Sequence, residues 1–225
     1  MSKSFDIVVI GSGPGGYPAA IRGAQLGLKV AIIEKYKTLG GTCLNVGCIP
    51  SKALLKSTEY YHLAESDFAD HGIAVDGLKV DVPKMIQRKR KVVEQITGGV
   101  AMLIDGNKIE RFEGHGTIVG KNQVKVGDET LEAKNIIIAT GSKPTPLRGV
   151  DFDKKRIISS TEALELQEVP KELLVVGAGV IGLEMGSVWA RLGAKVTIIE
   201  YGKTCLPGMD KHVQRQMQKS MQGLG

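Results

Sequence analysis

Two similar patterns of apolar residues stand near the start and near the end of the chain. In the first, a short apolar run over 5–10 leads into a glycine-rich stretch, after which small and apolar residues recur at helical spacing to Leu26. In the second, an apolar run over 173–176 leads into another glycine-rich stretch and then an apolar segment reaching about Leu192. Each pattern predicts a strand, a tight turn and a helix, in that order.

A further apolar run follows each predicted helix and ends in an acidic residue. Segment 26–34 is Leu-Gly-Leu-Lys-Val-Ala-Ile-Ile-Glu, and segment 192–200 is Leu-Gly-Ala-Lys-Val-Thr-Ile-Ile-Glu. Glu34 and Glu200 therefore occupy the same place in two copies displaced by 200 − 34 = 166 residues. The chain contains a repeated unit of strand, turn, helix and strand.

The segment between the two copies changes its period along the chain. Apolar spacing predicts a helix over 51–65 and a long amphipathic helix over 82–104, whose weak point is the glycine pair at 98–99. Beyond it, alternating residues around short turns predict a small antiparallel meander, and an apolar run predicts a buried strand. The meander strands are expected over 111–119, 123–126 and 130–132, and the buried strand over 135–139.

These elements predict an α/β protein with two Rossmann-like, three-layer dinucleotide-binding domains and an antiparallel meander inserted in the first. The proline-bearing stretch 143–146 places the boundary after it, which gives domains 1–147 and 148–225. Only 225 − 200 = 25 residues follow Glu200, too few to complete a dinucleotide domain of several strands. The second domain is therefore expected to be incomplete.

The glycine-rich turns have the residue types that bind a pyrophosphate. Gly11 permits a tight turn, Gly13 lets the backbone approach the phosphates, and Gly16 lets the helix pack closely on its strand. Glu34 stands about 20 residues after Gly11, where an acid can accept hydrogen bonds from a ribose diol. A turn that merely packs tightly is the alternative for one copy, but two such units imply two dinucleotides. Glu200 favours NAD over NADP in the second, because a carboxylate repels a 2′-phosphate.

A thirteen-residue stretch between the copies, 40–52, carries two cysteines five positions apart. Its sequence is Gly-Gly-Thr-Cys-Leu-Asn-Val-Gly-Cys-Ile-Pro-Ser-Lys. A disulfide between Cys43 and Cys48 needs Cα atoms roughly 4.4 to 6.8 Å apart, and an ideal helix would hold them about 8 to 9 Å apart. Gly47 and Pro50 would let the chain leave the helical path. Spacing alone leaves open a redox-active disulfide and a pair of small core residues. A metal site is disfavoured, because no second Cys/His pair has ligand spacing.

Composition and charge exclude several other classes of protein. The chain has an ordinary globular composition and a net charge of +6. Its three cysteines are too few for the disulfide framework of a secreted protein. The basic run 88–91 lacks interleaved aromatic residues, so a solvated helix face is favoured over a nucleic-acid site. No apolar run approaches the ~18 residues of a membrane span, and the first residues resemble neither a secretion signal nor a transit peptide. A reducing compartment is expected.

The stretch 40–52 resembles the active-site segment of the flavin-dependent pyridine-nucleotide disulfide oxidoreductases, and within them the dihydrolipoamide dehydrogenase branch most closely. The resemblance implies that the first unit holds FAD and the second NAD. It also implies a redox-active disulfide in which Cys43, the more exposed thiol, exchanges with substrate and Cys48 faces the flavin. Lys52 matches the lysine that the family places near the flavin, and Glu184 matches its partner, although a simple salt bridge is the alternative.

The resemblance and the turns together give a set of expected site residues. The catalytic candidates are Cys43, Cys48, Lys52 and Glu184, which are also expected to contact the cofactors. The remaining flavin contacts are Gly11, Ser12, Gly13, Pro14, Gly15, Gly16, Glu34, Lys35, Gly41, Thr42, Gly116, Ala139, Thr140, Gly141 and Ser142. The NAD contacts are Gly177, Gly179, Val180, Ile181, Gly182 and Glu200. No metal ligand is expected.

The implied activity is oxidation of protein-bound dihydrolipoamide to lipoamide with reduction of NAD⁺ to NADH. Its implied partners are a lipoyl-bearing acyltransferase or lipoyl carrier protein of 2-oxoacid dehydrogenase or glycine cleavage complexes, and a second copy in a homodimer. The implied location is the cytoplasm, or the mitochondrial matrix in a eukaryote. The family's histidine–glutamate acid/base pair is missing, and His212 does not replace it. The alternatives are a non-catalytic FAD-binding fragment and a glutathione or mercuric reductase.

Overall fold

The structure is a computed structural model, and it describes residues 3–225. The chain forms two compact units, each made of two segments. Unit 1 contains the residues up to Ile49 together with Lys91–Lys143, and unit 2 contains Pro50–Arg90 and Pro144–Gly225. The expected domains 1–147 and 148–225 were assigned by cofactor and stay a prediction, and the first two residues of the former lie outside the described range.

Unit 1 is built on a six-stranded sheet. Its strands are β1 (Lys3–Ile10), β2 (Val30–Glu34), β3 (Glu110–Glu113), β4 (Gly116–Gly120), β5 (Gln123–Val126) and β6 (Glu129–Ile138). The order across the sheet is β3-β2-β1-β6-β5-β4. The first four strands in this order are parallel, and β6, β5 and β4 pair antiparallel. Ile10 is level with Ile33 on one side and Ile138 on the other, so the three central strands end together.

Alternation along β1 and β2 sends side chains to two different apolar clusters. Val9 and Ile32 pack with Ala20, Val100 and other helical residues on one face of the sheet. The other face carries a cluster from β1, β2, β3, β5 and β6, which contains Phe5, Val8, Ile10, Ala31, Ile33, Phe112, Val124, Val126, Leu131 and Ala133. β1 and β2 therefore pack against apolar residues on both faces, as their apolar sequence requires.

The helices agree closely with the apolar spacing. They are α1 (Tyr17–Gln25), α2 (Gly41–Val46), α3 (Cys48–Ser66) and α4 (Val82–Gly106). A single 3₁₀ turn covers Phe68–His71. The glycine pair at 98–99 does not interrupt α4. Pro50 lies in the first turn of α3, where its missing N–H costs nothing.

Two details of the predicted meander are wrong. Segment 111–119 is not one meander strand, because Gly114 has a φ of 143° and separates β3, which pairs in parallel with β2, from β4. The third meander strand and the expected buried strand are one continuous strand, β6, which pairs with β5 and then with β1. The end of β6 is also less buried than expected, since Ile138 is 66% exposed.

Unit 2 contains the second copy of the repeat. Its elements are α5 (Ser160–Ala163), β7 (Glu172–Val176), α6 (Val180–Ala190), β8 (Lys195–Ile199) and α7 (Lys211–Gln222). β7 and β8 form a parallel two-stranded sheet. Its main core surrounds Trp189, whose indole N–H donates to the Ala163 carbonyl at 3.2 Å. Unit 2 contains the strand, turn, helix and strand that the repeat predicts, and the expected incompleteness of the second domain stays a prediction.

The basic run 88–91 is not a fully solvated helix face. The Lys89 side chain is only 2% exposed, because it points to the same side of α4 as Met85 and Ile86. Its ammonium donates to the Leu164 carbonyl at 2.8 Å and to the Glu165 carboxylate. Burial lowers the pKa of Lys89, and the hydrogen bond to Glu165 opposes that change.

Within residues 3–225 no helix has both the length and the apolar sequence needed to cross a bilayer.

Candidate functional site

The first glycine turn connects β1 to α1 and is tightly enclosed. Gly11 has a φ of +100°, and a Cβ there would lie 2.2 Å from the Ala139 carbonyl oxygen at the end of β6. A Cβ on Gly16 would lie 1.9 Å from the Gly11 carbonyl oxygen. Both positions therefore require glycine for contact, and Gly11 requires it for its backbone conformation as well.

A buried carboxylate stands beside this turn. Glu34 is 5% exposed, and its Oε2 accepts from the Ser12 N–H at 3.0 Å and from the Ser12 hydroxyl at 2.6 Å. Its Oε1 accepts from the Tyr36 N–H at 3.1 Å. An ionised carboxyl group has further lone pairs on both oxygens, so Glu34 can still accept from a ligand hydroxyl.

Other expected flavin contacts lie around the same sheet edge. The Gly13 and Gly15 N–H groups donate to no oxygen of residues 3–225, so they are available to an anion. A Cβ on Gly116 would lie 3.0 Å from the Ile10 side chain, which places β4 against the end of β1. Lys35 is half-buried, and the exposed candidates are Pro14, Gly15, Thr42, Cys48, Thr140, Gly141 and Ser142.

The cysteine stretch begins on the glycine turn itself. The Gly40 N–H donates to the Ser12 carbonyl at 3.0 Å and to the Ser12 hydroxyl at 3.2 Å. A Cβ on Gly41 would lie 2.6 Å from the Gly13 Cα, so the two backbones are in direct contact. The structure thus brings the predicted pyrophosphate turn and the start of the cysteine stretch together within unit 1.

The helical path breaks between the two cysteines, as the sequence predicts. Cys43 lies in α2 and Cys48 begins α3, and between them Gly47 has φ −141° and ψ −115°. A Cβ on Gly47 would lie 2.9 Å from the Thr42 carbonyl oxygen and 3.2 Å from the Cys43 Cα. The chain therefore folds back closely on Cys43 before it reaches Cys48.

The exposure of the two cysteines is the reverse of the expectation. Cys43 is half-buried and Cys48 is exposed. The physical reason is position, since Cys43 packs beside the cluster that contains Leu39 and Leu44, whereas Cys48 stands at the first residue of α3. The pairing of the two sulfurs and their separate roles stay predictions.

Sequence reasoning missed two residues that hold this stretch. Gly40, with a φ of +98°, precedes α2 and carries the N–H that joins Ser12. The Asn45 side-chain amide donates to the Leu39 carbonyl at 3.0 Å and to the Gly41 carbonyl at 2.9 Å. The positive φ is a property that glycine signals, but no pattern indicates the Asn45 contacts.

The second glycine turn connects β7 to α6 and repeats the first in outline. Gly177 has a φ of +105°, and its N–H donates to the Ile199 carbonyl at 2.8 Å, as the Gly11 N–H does to the Ile33 carbonyl. A Cβ on Gly182 would lie 2.1 Å from the Gly177 carbonyl oxygen. Gly179 directly precedes α6, and Val180 and Ile181 are exposed in its first turn.

Glu200 occupies the acidic position of the second copy. Its Oε2 accepts from the Ala178 N–H at 2.7 Å and its Oε1 from the Gly202 N–H at 2.8 Å. The hydrogen bond from Gly202, and next that from Ala178, lower the pKa of Glu200. The carboxylate is therefore ionised at neutral pH, in the form that accepts hydrogen bonds from a ribose and repels a phosphate.

Lys52 and Glu184 form the expected pair. The Lys52 ammonium contacts the Glu184 carboxylate within unit 2, and the lysine side chain is 62% exposed while that of the glutamate is 23% exposed. Lys52 follows Cys48 by four residues on α3, one helical turn. The contact alone is also what a simple salt bridge would show.

Comparisons with known proteins place these features in a family. The profile of the family described as pyridine nucleotide-disulphide oxidoreductase matches residues 5–225. The mitochondrial dihydrolipoyl dehydrogenase of Caenorhabditis elegans is 53% identical over 98% of this chain and 46% of its own length. A leghemoglobin reductase of Vigna unguiculata is 52% identical over 100% of this chain and 44% of its own length.

A solved structure has the same fold. The HOCl-induced flavoprotein disulfide reductase RclA from Escherichia coli, determined as the Cu(II) complex of a cysteine-to-serine mutant, superposes with a TM-score of 0.82. The two sequences are 28% identical, and the match covers 100% of this chain and 48% of the RclA chain. The chain thus spans about half the length of the relatives it matches.

Proposed function

The chain belongs to the pyridine nucleotide-disulphide oxidoreductases, and from that membership we propose that unit 1 binds FAD beside a redox-active Cys43–Cys48 disulfide. The observation that carries the proposal is the contact between the first glycine turn and the cysteine stretch. Gly40 donates to Ser12, and Gly41 packs against Gly13. A dinucleotide on the turn would therefore lie next to the backbone that leads to Cys43.

The residues of the first turn fit FAD. The Gly13 and Gly15 N–H groups and the start of α1 supply donors for a pyrophosphate, and Gly11 admits no side chain that would fill the space. Glu34 would accept from the ribose of the adenosine half. Bound FAD would supply the two-electron acceptor between the cysteines and NAD⁺.

The cysteines would carry out the exchange with a dithiol substrate. One substrate thiolate attacks Cys43 Sγ, the Cys43–Cys48 bond breaks, and Cys48 leaves as a thiolate. The second substrate thiolate then attacks the substrate sulfur of the mixed disulfide, which closes the substrate disulfide and releases Cys43. The substrate loses two electrons, and the cysteine pair gains them. The exposure of Cys48 leaves its sulfur open to a bound group.

Lys52 and Glu184 would act by charge. A lysine one turn after Cys48 would stabilise negative charge that develops near it during the reaction. Glu184 holds the Lys52 ammonium through their contact, so that the long side chain has one orientation. We propose Lys52 as a catalytic residue and Glu184 as its positioning residue.

Unit 2 would bind the adenosine half of NAD. Its glycine turn, the first turn of α6 and Glu200 are the residues that would hold a pyrophosphate and a ribose diol. The ionised Glu200 favours NAD over NADP. The two-stranded sheet provides this half of the site within the described residues.

The sequence identity to dihydrolipoyl dehydrogenases supports a proposal for the substrate. We propose that the whole protein oxidises dihydrolipoamide, because dihydrolipoyl dehydrogenases match at about half of all positions. A lipoyl-bearing acyltransferase or lipoyl carrier protein of a 2-oxoacid dehydrogenase or glycine cleavage complex would then be the partner, and a second copy would form the homodimer. The location would be the cytoplasm or the mitochondrial matrix.

The test is an anaerobic mixture of the chain with FAD, dihydrolipoamide and NAD⁺, followed by flavin absorbance and NADH formation. We expect the chain to retain FAD and dihydrolipoamide to bleach the flavin bands. Cys43→Ser and Cys48→Ser should keep FAD and lose bleaching, whereas the matched variant Cys205→Ser should behave as the unaltered chain.

The outcomes separate the candidate functions. A chain that retains FAD but is not reduced by dihydrolipoamide supports a flavin-binding module without activity of its own. Flavin reduction by glutathione or NADPH, but not by dihydrolipoamide, would support a glutathione-type reductase. A chain that does not retain FAD contradicts the proposal.

A further inference from the structure

Ser12 uses all of its polar groups inside unit 1. The residue is 0% exposed, its N–H and hydroxyl donate to Glu34 Oε2, and its hydroxyl and carbonyl oxygens accept from the Gly40 N–H. The hydroxyl therefore donates its single hydrogen bond to Glu34 and accepts one from the Gly40 N–H at the start of the cysteine stretch. The Ser12 hydroxyl is a bridge between Glu34 and Gly40.

The segment on the far side of the bridge has little freedom. Gly40 and Gly41 have φ values of +98° and +58°, and Gly41 is in van der Waals contact with Gly13. The Asn45 amide fixes the carbonyls of Leu39 and Gly41. Cys43 is the third residue of α2, so a displacement of Gly40 is carried directly to Cys43.

The second copy of the repeat supplies a comparison within the same chain. The position equivalent to Ser12 is Ala178, which has no hydroxyl, and the position equivalent to Gly40 is Leu206. The Leu206 N–H donates to the Ala178 carbonyl at 2.8 Å, so the backbone bond is kept without the bridge. Met209 stands where the first copy has Cys43. The hydroxyl bridge accompanies the cysteine, and the backbone contact alone suffices where no cysteine follows.

We infer that Ser12 is a positioning residue that couples occupation of the dinucleotide site to the orientation of Cys43. A ribose hydroxyl that donates to Glu34 would share the carboxylate that accepts from the Ser12 hydroxyl, and would therefore change that hydrogen bond. The change in that hydrogen bond is passed to the Gly40 N–H and so to α2. The inference rests on the proposed FAD site in unit 1.

The test measures coupling rather than stability. The reduced 225-residue chain is alkylated with iodoacetamide with and without FAD, and the rate at Cys43 is followed by peptide mass spectrometry. FAD is expected to change this rate about tenfold in the unaltered chain. Ser12→Ala is compared at an FAD concentration that saturates each chain, and its change at Cys43 should fall below twofold. Ala178→Ser is the matched control and should keep the full change.

A conservative variant and a second measurement test whether Ser12→Ala acts only by disturbing the fold. Ser12→Thr keeps the hydroxyl and should keep the FAD-dependent change. Amide hydrogen exchange in segment 39–46 should be slowed by FAD in the unaltered chain and in Ser12→Thr, but not in Ser12→Ala.

The negative results separate failure of the Ser12 inference from failure of the proposed function. Full FAD dependence of the Cys43 rate in Ser12→Ala overturns the inference and leaves the proposed function intact. A bound FAD that leaves the Cys43 rate of the unaltered chain unchanged also overturns the inference alone. An unaltered chain that does not bind FAD overturns the proposed function and the inference together.

Discussion

The two glycine turns share one backbone plan and differ in what surrounds them. In both, the first glycine donates to the end of the second strand, and the last glycine lies against the carbonyl of the first. A Cβ on Gly11 would strike the Ala139 carbonyl oxygen at 2.2 Å, whereas a Cβ on Gly177 would meet no atom of residues 3–225 within 4 Å, its chain neighbours aside. The difference is β6, which borders β1, whereas among the described residues no strand other than β8 pairs with β7.

The acidic residues of the two copies, Glu34 and Glu200, also differ in burial and in their contacts. Glu34 is buried and holds a serine hydroxyl, whereas Glu200 is partly exposed and holds backbone N–H groups. The helices differ as well, since α6 begins directly after Gly179 but α1 begins only at Tyr17. Pro14, Gly15 and Gly16 are poor helix formers, which delays the start of α1. The comparison shows that a repeated backbone motif acquires its chemistry from the neighbouring strand and loop.

The largest expected effect is a difference in the free energy of unfolding between variants of Gly11 and Gly177, the first glycine of each turn. Gly11→Ala should destabilise unit 1 by about 3 kcal/mol or more, because the new Cβ overlaps backbone and the φ is positive. Gly177→Ala should cost only the positive φ, about 1–2 kcal/mol. Urea unfolding followed by circular dichroism measures both. Equal losses would contradict the difference in enclosure.

The last glycine of each turn, Gly16 and Gly182, provides the control for that comparison. Gly16→Ala and Gly182→Ala both introduce a Cβ within about 2 Å of a backbone oxygen of their own turn, at 1.9 Å and 2.1 Å. Their losses in urea unfolding should be large and similar. A small loss for Gly182→Ala would show that the second turn rearranges freely.

A smaller effect is expected where the two loops leave their turns. Gly40→Ala places a Cβ 2.6 Å from the Leu44 Cβ at a φ of +98°, and should cost about 2–3 kcal/mol. Leu206→Gly relieves a φ of +51° but removes a side chain that is 5% exposed, so about 1 kcal/mol of net loss is expected. Thermal unfolding compares the two. A Leu206→Gly variant more stable than the parent would mean that backbone strain outweighs burial.

The smallest effect concerns pH. Backbone hydrogen bonds lower the pKa of Glu200 in the folded chain, so they stabilise the fold at pH values above its ordinary pKa of about 4.3. This contribution is lost as the pH falls through the lowered value. Carbon-detected NMR titration of the Glu200 carboxyl group should give a lower pKa in the folded chain than in urea. An equal or higher pKa in the folded chain would contradict the two backbone contacts.

The repeat was readable from sequence because its requirements fall on residue types. Glycine at 11, 16 and 182 is needed because a Cβ would overlap backbone, and glycine at 177 because φ is positive. The acids at 34 and 200 accept hydrogen bonds from the turns, and the structure confirms the turns there. Gly47 likewise signalled the break between α2 and α3. The family relationship predicted from segment 40–52 is also confirmed.

Features set by tertiary neighbours were not readable. Leucine is not a turn residue, so nothing in the sequence indicated the positive φ of Leu206 or its bond to Ala178. Lys89 is charged and yet buried, because the Leu164 carbonyl and Glu165 lie where its ammonium ends. The bridging role of the Ser12 hydroxyl required the spatial meeting of segments far apart in sequence.

The most direct test of the central claim, that the first turn serves a disulfide carried by its own loop, is a thiol count on the oxidised and denatured chain. The account predicts a single reactive thiol, Cys205, among the three cysteines, and a peptide in which Cys43 is linked to Cys48. Three reactive thiols would contradict it.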